Sequence, residues 1–85
     1  MPYRAVFTNA FLRGRRRLPD QAALRVVEAV KGLLLDPYVG TPLSEPFRGL
    51  WRVRVGDYRI LYEVDAAGGR VIFHDVGHRR RIYGR

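Results

Sequence analysis

The middle of the chain alternates between apolar and polar positions with the period of two that is typical of a half-buried β-strand. In residues 51–55, a tryptophan and two valines alternate with Arg52 and Arg54. The Gly-Asp pair at 56–57 favours a two-residue turn, since glycine at the first turn position suits a type II′ hairpin. Residues 58–62 continue as a second strand. This pattern predicts a β-hairpin whose two strands each have one apolar face.

Helical spacing and turn residues divide the rest of the chain into elements. Apolar residues recur at helical spacing between Pro19 and Asp36, which predicts an amphipathic helix with one apolar stripe. The predicted elements are a strand over 3–8, a short helix capped by Thr8 or Asn9 and broken by Pro19, the amphipathic helix ended by Asp36-Pro37, a loop over 38–48, the hairpin, a strand over 70–76 ended by Gly77, and a tail over 78–85.

The order β-α-α-β-β-β-tail predicts an α+β fold in which two helices pack on one face of a small, mostly antiparallel sheet. The other face of the sheet and the tail would then remain available to a ligand. One domain over residues 1–85 is expected, because this length suffices for a single modest core.

Composition and charge indicate a folded cationic protein with a polyanionic partner. Of the 85 residues, 47% are hydrophobic, and the formal net charge is +8. This charge points to nucleic acid, an acidic protein or a membrane surface. Lys31 is the only lysine, and arginine suits bidentate phosphate contacts, although a GC-rich genome would also favour arginine over lysine.

Two absences narrow the chemistry that the sequence allows. The chain has no cysteine, which excludes a disulfide framework and a thiolate site. The N-terminus lacks the apolar core of a signal peptide, and no apolar run approaches the length of a membrane span. A soluble, cytoplasmic protein without membrane contact is therefore expected.

The hairpin register brings arginines together on one side of the sheet. With the Gly-Asp pair as the loop, Arg54 lies opposite Arg59, and Arg52 shares their face, because directly opposed residues point the same way. Like charges opposite each other destabilise a sheet by some tenths of a kcal/mol or more. Their presence favours an anion-binding face with Glu63 as the nearby counter-charge. The alternative is a solvated face on which the arginine stems cover apolar surface.

The tail combines a histidine, three arginines and a tyrosine, at His78, 79–81 and Tyr83. Cations that bind phosphate, a group that titrates near neutrality and an aromatic ring that can stack on a base are the features needed to act on RNA at a single nucleotide. The alternatives are a solvated charged extension and a core-anchoring role for Tyr83. His74 is expected near the end of a strand with a packing or hydrogen-bonding role. A metal site at His74 and His78 is not favoured, because further ligands are lacking.

Three segments together resemble the RelE branch of the RelE/ParE toxin superfamily. They are residues 50–55 (LWRVRV), 56–62 (GDYRILY) and 76–83 (VGHRRRIY). The resemblance covers nearly the whole chain, including the order of the elements. It implies a compact α+β domain with two helices on an antiparallel sheet. It also implies a toxin that enters the ribosomal A site, cuts the mRNA there and is silenced by an antitoxin encoded beside it.

The resemblance also implies roles for individual residues. Arg52 and Arg54 occupy positions at which RelE-type toxins carry basic residues, often lysines, that contact the mRNA and help to activate the attacking 2′-hydroxyl. Arg59 matches the arginine that stabilises the scissile phosphate. Arg79 matches the arginine that assists the leaving 5′-oxygen, and Tyr83 matches the tyrosine that stacks on a base.

One departure from the family pattern concerns the proton of the 2′-hydroxyl. Lysine can lose its proton and act as a base, whereas arginine cannot. With arginine at both 52 and 54, the base must be another group or must come from the ribosome. His78 is the first candidate, because some relatives use a histidine there and histidine titrates near neutrality. Glu63 is the second.

The expected function is that of a type II toxin that acts as a ribosome-dependent mRNA endoribonuclease without metal or cofactor. The expected partners are a cognate acidic antitoxin and the ribosome, with its 16S rRNA and the mRNA in the A site. The alternative is a ParE-like, non-enzymatic inhibitor of DNA gyrase, which is less favoured because ParE-like toxins lack the full Arg/His/Tyr set of the tail. A plain RNA-binding module would not need this clustering.

Overall fold

Two helices lie on one face of a five-stranded mixed sheet in the computed structural model, which describes residues 2–81. The elements are β1 (Arg4–Phe7), α1 (Asn9–Arg16), α2 (Asp20–Leu35), a 3-10 turn (Pro37–Val39), β2 (Thr41–Pro42), β3 (Trp51–Val55), β4 (Tyr58–Asp65) and β5 (Arg70–His78). The strands lie in the order β1-β5-β4-β3-β2. β1 is parallel to β5, and the other neighbouring strands are antiparallel. The predicted α+β class and mostly antiparallel sheet are confirmed.

Local signals set the ends of both helices. The side-chain oxygen of Thr8 accepts a hydrogen bond from the backbone N–H of Phe11 at 3.1 Å, and its hydroxyl donates to the carbonyl of His74 at 2.8 Å. The cap of α1 therefore also ties this helix to β5. Asp36 adopts an extended backbone and ends α2, as expected of the residue before a proline.

Apolar side chains of both helices meet the sheet in one core. The buried members are Phe11, Val26, Leu33, Ile60, Tyr62, Val71, Phe73 and Val76. Gly14 in α1 lies directly against the backbone of Val76, where a Cβ would collide with the carbonyl oxygen. The missing side chain therefore lets α1 pack closely on β5.

Tyr62 anchors the segment after α2 to the central strand β4. Its side chain is fully buried, and its hydroxyl donates a hydrogen bond to the carbonyl of Pro37 at 2.7 Å. Burial raises the pKa of Tyr62 to about 12, because the charged phenolate would lose its hydration. The neutral hydroxyl is therefore the form that the fold requires.

The β3–β4 hairpin has the register that the Gly-Asp turn predicts. Arg54 lies opposite Arg59, and Val53 lies opposite Ile60. Gly56 has a φ of 61°, a left-handed conformation that glycine adopts without steric cost. The two-residue turn thus fixes which side chains share each face of the hairpin.

A β-bulge in β5 changes which residues of this strand face the helices. Leu61 pairs with Asp75 and Tyr62 pairs with Phe73, so His74 is an extra residue in β5. Before the bulge, Phe73 points into the core, and after it Val76 does. Because an extra residue shifts the alternation by one, the faces of the residues beyond His74 are exchanged relative to a regular strand.

Two predicted boundaries are wrong. β5 continues through Gly77 to His78, because the ladder uses backbone groups and does not require a side chain at Gly77. The predicted loop over 38–48 contains the short strand β2, in which Thr41 pairs with Arg52. Two residues are too few to produce a periodic pattern in the sequence.

Candidate functional site

Three arginines lie on the sheet face that the helices leave open, which we call the arginine face (Arg52, Arg54 and Arg59). Arg54 and Arg59 are directly opposed across β3 and β4, and Arg52 lies opposite Leu61. Opposed residues share a face, and alternation along β3 places Arg52 and Arg54 on the same side. The paired apolar residues between them point to the helices. The arrangement concentrates three guanidinium groups on adjacent strands.

Arg59 is the central member of the arginine face. It lies between Arg54 on β3 and Gly77 on β5, and its Nε atom is shielded from solvent. The backbone N–H of Arg79 donates to the carbonyl of Asp57 at 2.9 Å, which extends the β4–β5 ladder by one step. Arg79 follows Gly77 by two positions, so its side chain is on the same face of the sheet as Gly77 and Arg59.

The arginine face is suited to binding an anion with several oxygens. Each guanidinium group presents a planar fork of donors that matches phosphate geometry. Like charges directly opposite each other destabilise a sheet by roughly 0.2–1 kcal/mol, and Arg54 and Arg59 are such a pair. A bound anion would remove this repulsion and would gain charge-assisted hydrogen bonds from more than one strand.

A carboxylate–histidine pair borders the arginine face. Glu63 follows Leu61 by two positions in β4 and shares its face, so it is a diagonal neighbour of Arg52. The Nε2 atom of His74 lies 2.9 Å from Oε1 of Glu63, and both side chains are partly exposed. The pair therefore places groups that can accept or release a proton beside the cationic cluster.

His78 lies on the opposite side of the sheet. It pairs with Tyr58, and the two rings are in edge-to-face contact with their centroids 5.6 Å apart. The Nδ1 atom of His78 accepts a hydrogen bond from the backbone N–H of Arg80 at 3.2 Å. In the neutral ring this bond leaves the proton on Nε2, which is then a donor. The sheet separates His78 from the arginine face, and the local geometry favours a donating rather than an accepting ring.

The structure therefore brings together only part of the site predicted from the sequence. The arginine face and Arg79 lie along one side of the sheet, whereas His78 lies on the helix side. Tyr83 lies outside the described residues. The hydrogen-bonding role expected of His74 is confirmed, but its position next to the arginine face was missed. The available signal was the three-residue step from Phe73 to Val76 in an otherwise alternating strand.

Other chemical features of the described part of the chain are limited. Within residues 2–81, no group of three histidine, cysteine, aspartate or glutamate side chains could hold a metal ion. No helix in this part is long and apolar enough to cross a membrane. The described side chains offer anion binding by guanidinium groups and proton transfer by Glu63 and the histidines.

The sequence matches known toxins along almost its whole length. Residues 5–83 match the family model described as the ParE toxin of the type II toxin–antitoxin system parDE. Toxin RelG of Mycobacterium tuberculosis is 38% identical, with 100% of both chains covered. Toxin RelE of the same organism is 37% identical over 96% of this chain and 87% of the relative.

Solved structures with a similar fold point to the same group of toxins. The toxin–antitoxin complex RelBE2 of Mycobacterium tuberculosis contains a chain that is 36% identical, with a TM-score of 0.86 over 93% of this chain and 100% of that chain. The intact RelBE complex of Escherichia coli has a TM-score of 0.78 at 18% identity, over 89% of this chain and 95% of that chain, which supports the fold alone. The chain therefore belongs to the RelE/ParE superfamily and is a RelE-like toxin of the type II toxin–antitoxin class.

Proposed function

We propose that this toxin is a ribosome-dependent endoribonuclease that cuts mRNA in the ribosomal A site. The observation that carries the proposal is the opposition of Arg54 and Arg59 on an open sheet face, with Arg52 beside them. This cluster has the geometry to hold a phosphodiester and to stabilise additional negative charge on it. The relatives named RelE and RelG are consistent with this branch of the superfamily.

The proposed reaction uses the RNA itself as the nucleophile. The 2′-oxygen forms a bond to the adjacent phosphorus while the bond from phosphorus to the 5′-oxygen breaks. The products are a 2′,3′-cyclic phosphate and a free 5′-hydroxyl. The 2′-hydroxyl gives up one proton, and the 5′-oxygen gains one. The protein must therefore supply charge stabilisation and a proton acceptor but no nucleophile, and water can provide the proton that the 5′-oxygen gains.

The arginines supply the charge stabilisation in this mechanism. Preorganised donors that point to the position where charge develops are worth about 3–4 kcal/mol each when they are buried from water. Arg59, which is flanked by Arg54 and Gly77, is the best placed to hold the phosphate oxygens. Arg79 lies on the same face and is assigned to stabilise the leaving 5′-oxygen by hydrogen bonds, and because arginine keeps its own proton, the proton that this oxygen gains comes from water.

The proton acceptor is assigned to the Glu63–His74 pair. Arginine keeps its proton at any relevant pH, so Arg52 and Arg54 cannot take this role. Glu63 is a diagonal neighbour of Arg52 and is held by His74 at 2.9 Å. The assignment of the base to His78 stays a prediction, and the position of this residue on the helix side gives it less support. A stacking role for Tyr83 is likewise a prediction.

The proposal includes a cognate acidic antitoxin as the partner that silences the toxin in the cytoplasm. The formal charge of +8 favours rapid capture of an acidic partner. Relatives of this fold occur in complexes named RelBE. An acidic segment that covers the arginine face would block RNA access and neutralise the opposed pair Arg54 and Arg59.

Primer extension on ribosome-bound mRNA tests the proposed activity. Wild-type toxin should produce cuts within A-site codons, and Arg59→Ala should remove them. Arg16→Ala, an exposed arginine on α1, is the matched control and should cut normally. A parallel DNA gyrase supercoiling assay tests the alternative, inhibition of gyrase. Gyrase inhibition without mRNA cuts would overturn the proposal.

A further inference from the structure

A second cationic region lies on the helix side of the sheet, in a groove between α1 and the end of β5. We call it the α1–β5 groove (Ala10, Arg13, Gly14, Arg17, Leu18, Tyr58, Asp75, Val76, Gly77, His78 and Arg81). Its volume is about 590 Å³. Arg13 and Arg17 are four residues apart at the end of α1, so their side chains lie one above the other on the same face of the helix. The groove therefore has a wall with two guanidinium groups.

The opposite wall of the groove is aromatic. Tyr58 and His78 both line it and are in edge-to-face contact. Since Nδ1 of His78 accepts from the backbone of Arg80, Nε2 is the ring nitrogen that can donate to a ligand. Asp75 also borders the groove, but it pairs with Leu61, so its side chain belongs to the open face of the sheet and is not counted among the ligand groups.

We propose that the α1–β5 groove binds a nucleotide of single-stranded RNA. A phosphate contacts Arg13 and Arg17, and the adjacent base packs against Tyr58 and His78. A positively charged track combined with an aromatic surface is the usual means of holding single-stranded nucleic acid.

This binding site is separate from the arginine face, because the sheet lies between them. It rests on the proposed function only in the choice of RNA as the ligand. The strand that occupies it can be mRNA outside the reacting codon or ribosomal RNA, since both offer the same chemistry. Its role would be to position the toxin on RNA rather than to contribute to bond cleavage.

Helix stability offers another explanation for the basic residues of α1, and it defines the control. Cations in the last turn of a helix interact favourably with its dipole, and Arg13, Arg15 and Arg16 all lie there. Arg15 and Arg16 do not line the α1–β5 groove. A double variant at these two positions therefore removes the same charge from the same helix and leaves the groove intact.

Fluorescence anisotropy with a short labelled single-stranded RNA, measured at several salt concentrations, tests the binding site. Each phosphate contact contributes about 0.7 to the slope of log affinity against log salt for a single strand. Arg13→Gln with Arg17→Gln should remove this one phosphate contact, lower the slope by about 0.7 and weaken binding, whereas Arg15→Gln with Arg16→Gln should cause less than half of this change. Equal changes in the two variants would overturn the proposal, because they would show diffuse attraction.

Further variants separate a specific site from loss of fold. Arg13→Lys with Arg17→Lys keeps the charge and should retain most of the slope. Tyr58→Leu should weaken binding with little change in slope. Circular dichroism identifies any variant that fails to fold. A folded Tyr58→Leu variant with unchanged affinity would contradict the base contact.

Ribosome assays identify the source of the RNA and separate this proposal from the proposed function. If the strand is ribosomal, the Arg13/Arg17 variant should cosediment less with ribosomes that lack mRNA; if it is mRNA, the loss should require programmed ribosomes. A wild-type toxin that binds RNA through the groove but never cuts mRNA would overturn only the proposed function. A toxin that cuts mRNA but binds ribosomes independently of Arg13 and Arg17 would overturn only the groove.

Discussion

The arginine face and the α1–β5 groove are both cationic, but they differ in how their charges are held. On the arginine face, Arg54 and Arg59 are directly opposed by the strand register, so their mutual repulsion is part of the fold. In the groove, Arg13 and Arg17 follow helical spacing at the end of a helix, where positive charge is favourable. The difference is that opposed charges in a sheet cost free energy that a bound anion would recover, whereas cations at the end of a helix carry no such cost.

The two regions also differ in their proton-transfer groups. Glu63 and His74 are paired beside the arginine face, whereas His78 in the groove accepts a backbone N–H at Nδ1. A carboxylate can take a proton from a hydroxyl, and a histidine with an occupied Nδ1 is set up to donate from Nε2. We therefore assign chemistry to the arginine face and RNA positioning to the groove.

The largest expected effect separates the two regions by their arginines. Arg59→Ala should lower the rate of mRNA cleavage on the ribosome by about 100- to 1,000-fold, because a preorganised donor to the transition state is lost. Arg17→Ala should weaken ribosome binding but leave the rate at saturating toxin within a few-fold of wild type. Single-turnover cleavage at several toxin concentrations measures both quantities. Similar losses of maximal rate in both variants would break the distinction.

A second prediction compares the proton-transfer groups. Glu63→Gln should lower the cleavage rate by about 100-fold and flatten its rise with pH, because the acceptor of the 2′-hydroxyl proton is removed. His78→Gln should keep the shape of the pH profile, since glutamine can still donate a hydrogen bond. Cleavage rates from mildly acidic to mildly alkaline pH measure this. A normal profile for Glu63→Gln together with a flat one for His78→Gln would return the base to His78.

A third prediction concerns the antitoxin. If an acidic segment is drawn to the arginine face, its association rate should fall at least about tenfold between low and high salt, as expected for electrostatic steering. Arg54→Gln should reduce this salt dependence more than Arg16→Gln does. Stopped-flow fluorescence with the purified antitoxin gives both rates. Equal salt dependence for the two variants would mean that the segment does not contact the arginine face.

The smallest effect is expected from a substitution in the core, which supports both regions. Tyr62→Phe leaves the carbonyl of Pro37 without its hydroxyl donor, so the free energy of unfolding should fall by about 1–2 kcal/mol. Because the pKa of Tyr62 is raised to about 12, the neutral phenol stabilises the fold fully below about pH 10. This contribution is lost as the pH rises towards the folded value.

Denaturant unfolding of wild type and Tyr62→Phe at neutral and alkaline pH measures both effects. The variant should lose the part of the alkaline destabilisation that comes from Tyr62. Since Tyr62 supports the sheet rather than either face, RNA binding and the maximal cleavage rate should change together and only slightly. A selective loss of one activity would show that the two regions depend on the core unequally.

The sequence predicts local structure well where a single residue or turn decides it. The Gly-Asp turn sets the pairing of Arg54 with Arg59, and Pro37 marks the end of α2. The parallel pairing of β1 with β5 could not be predicted, because it joins segments from opposite ends of the chain. The short strand β2 also escaped prediction, since its two residues pair with β3 without a pattern of their own.

For the candidate site, the sequence predicts correctly which face a residue occupies only as far as the bulge in β5. Regular alternation along this strand would place His78 on the side opposite Phe73, with the arginines. The extra residue at His74 exchanges the faces beyond it, so that His78 joins the helix side and Gly77 lies beside Arg59. A bulge is the outcome of tertiary packing, and the step of three between Phe73 and Val76 is its only trace in the sequence.

The close contact between Gly14 and Val76 has a genetic consequence. Every missense change at codon 14 introduces a Cβ where the carbonyl oxygen of Val76 lies, so α1 must move away from β5 to admit it. In a screen for cells that survive expression of the toxin, codon 14 should therefore yield inactive alleles almost as often as the codon for Arg59. Alleles changed at codon 14 would keep all the arginines on the open face of the sheet. They would lose toxicity because α1 no longer packs closely on β5.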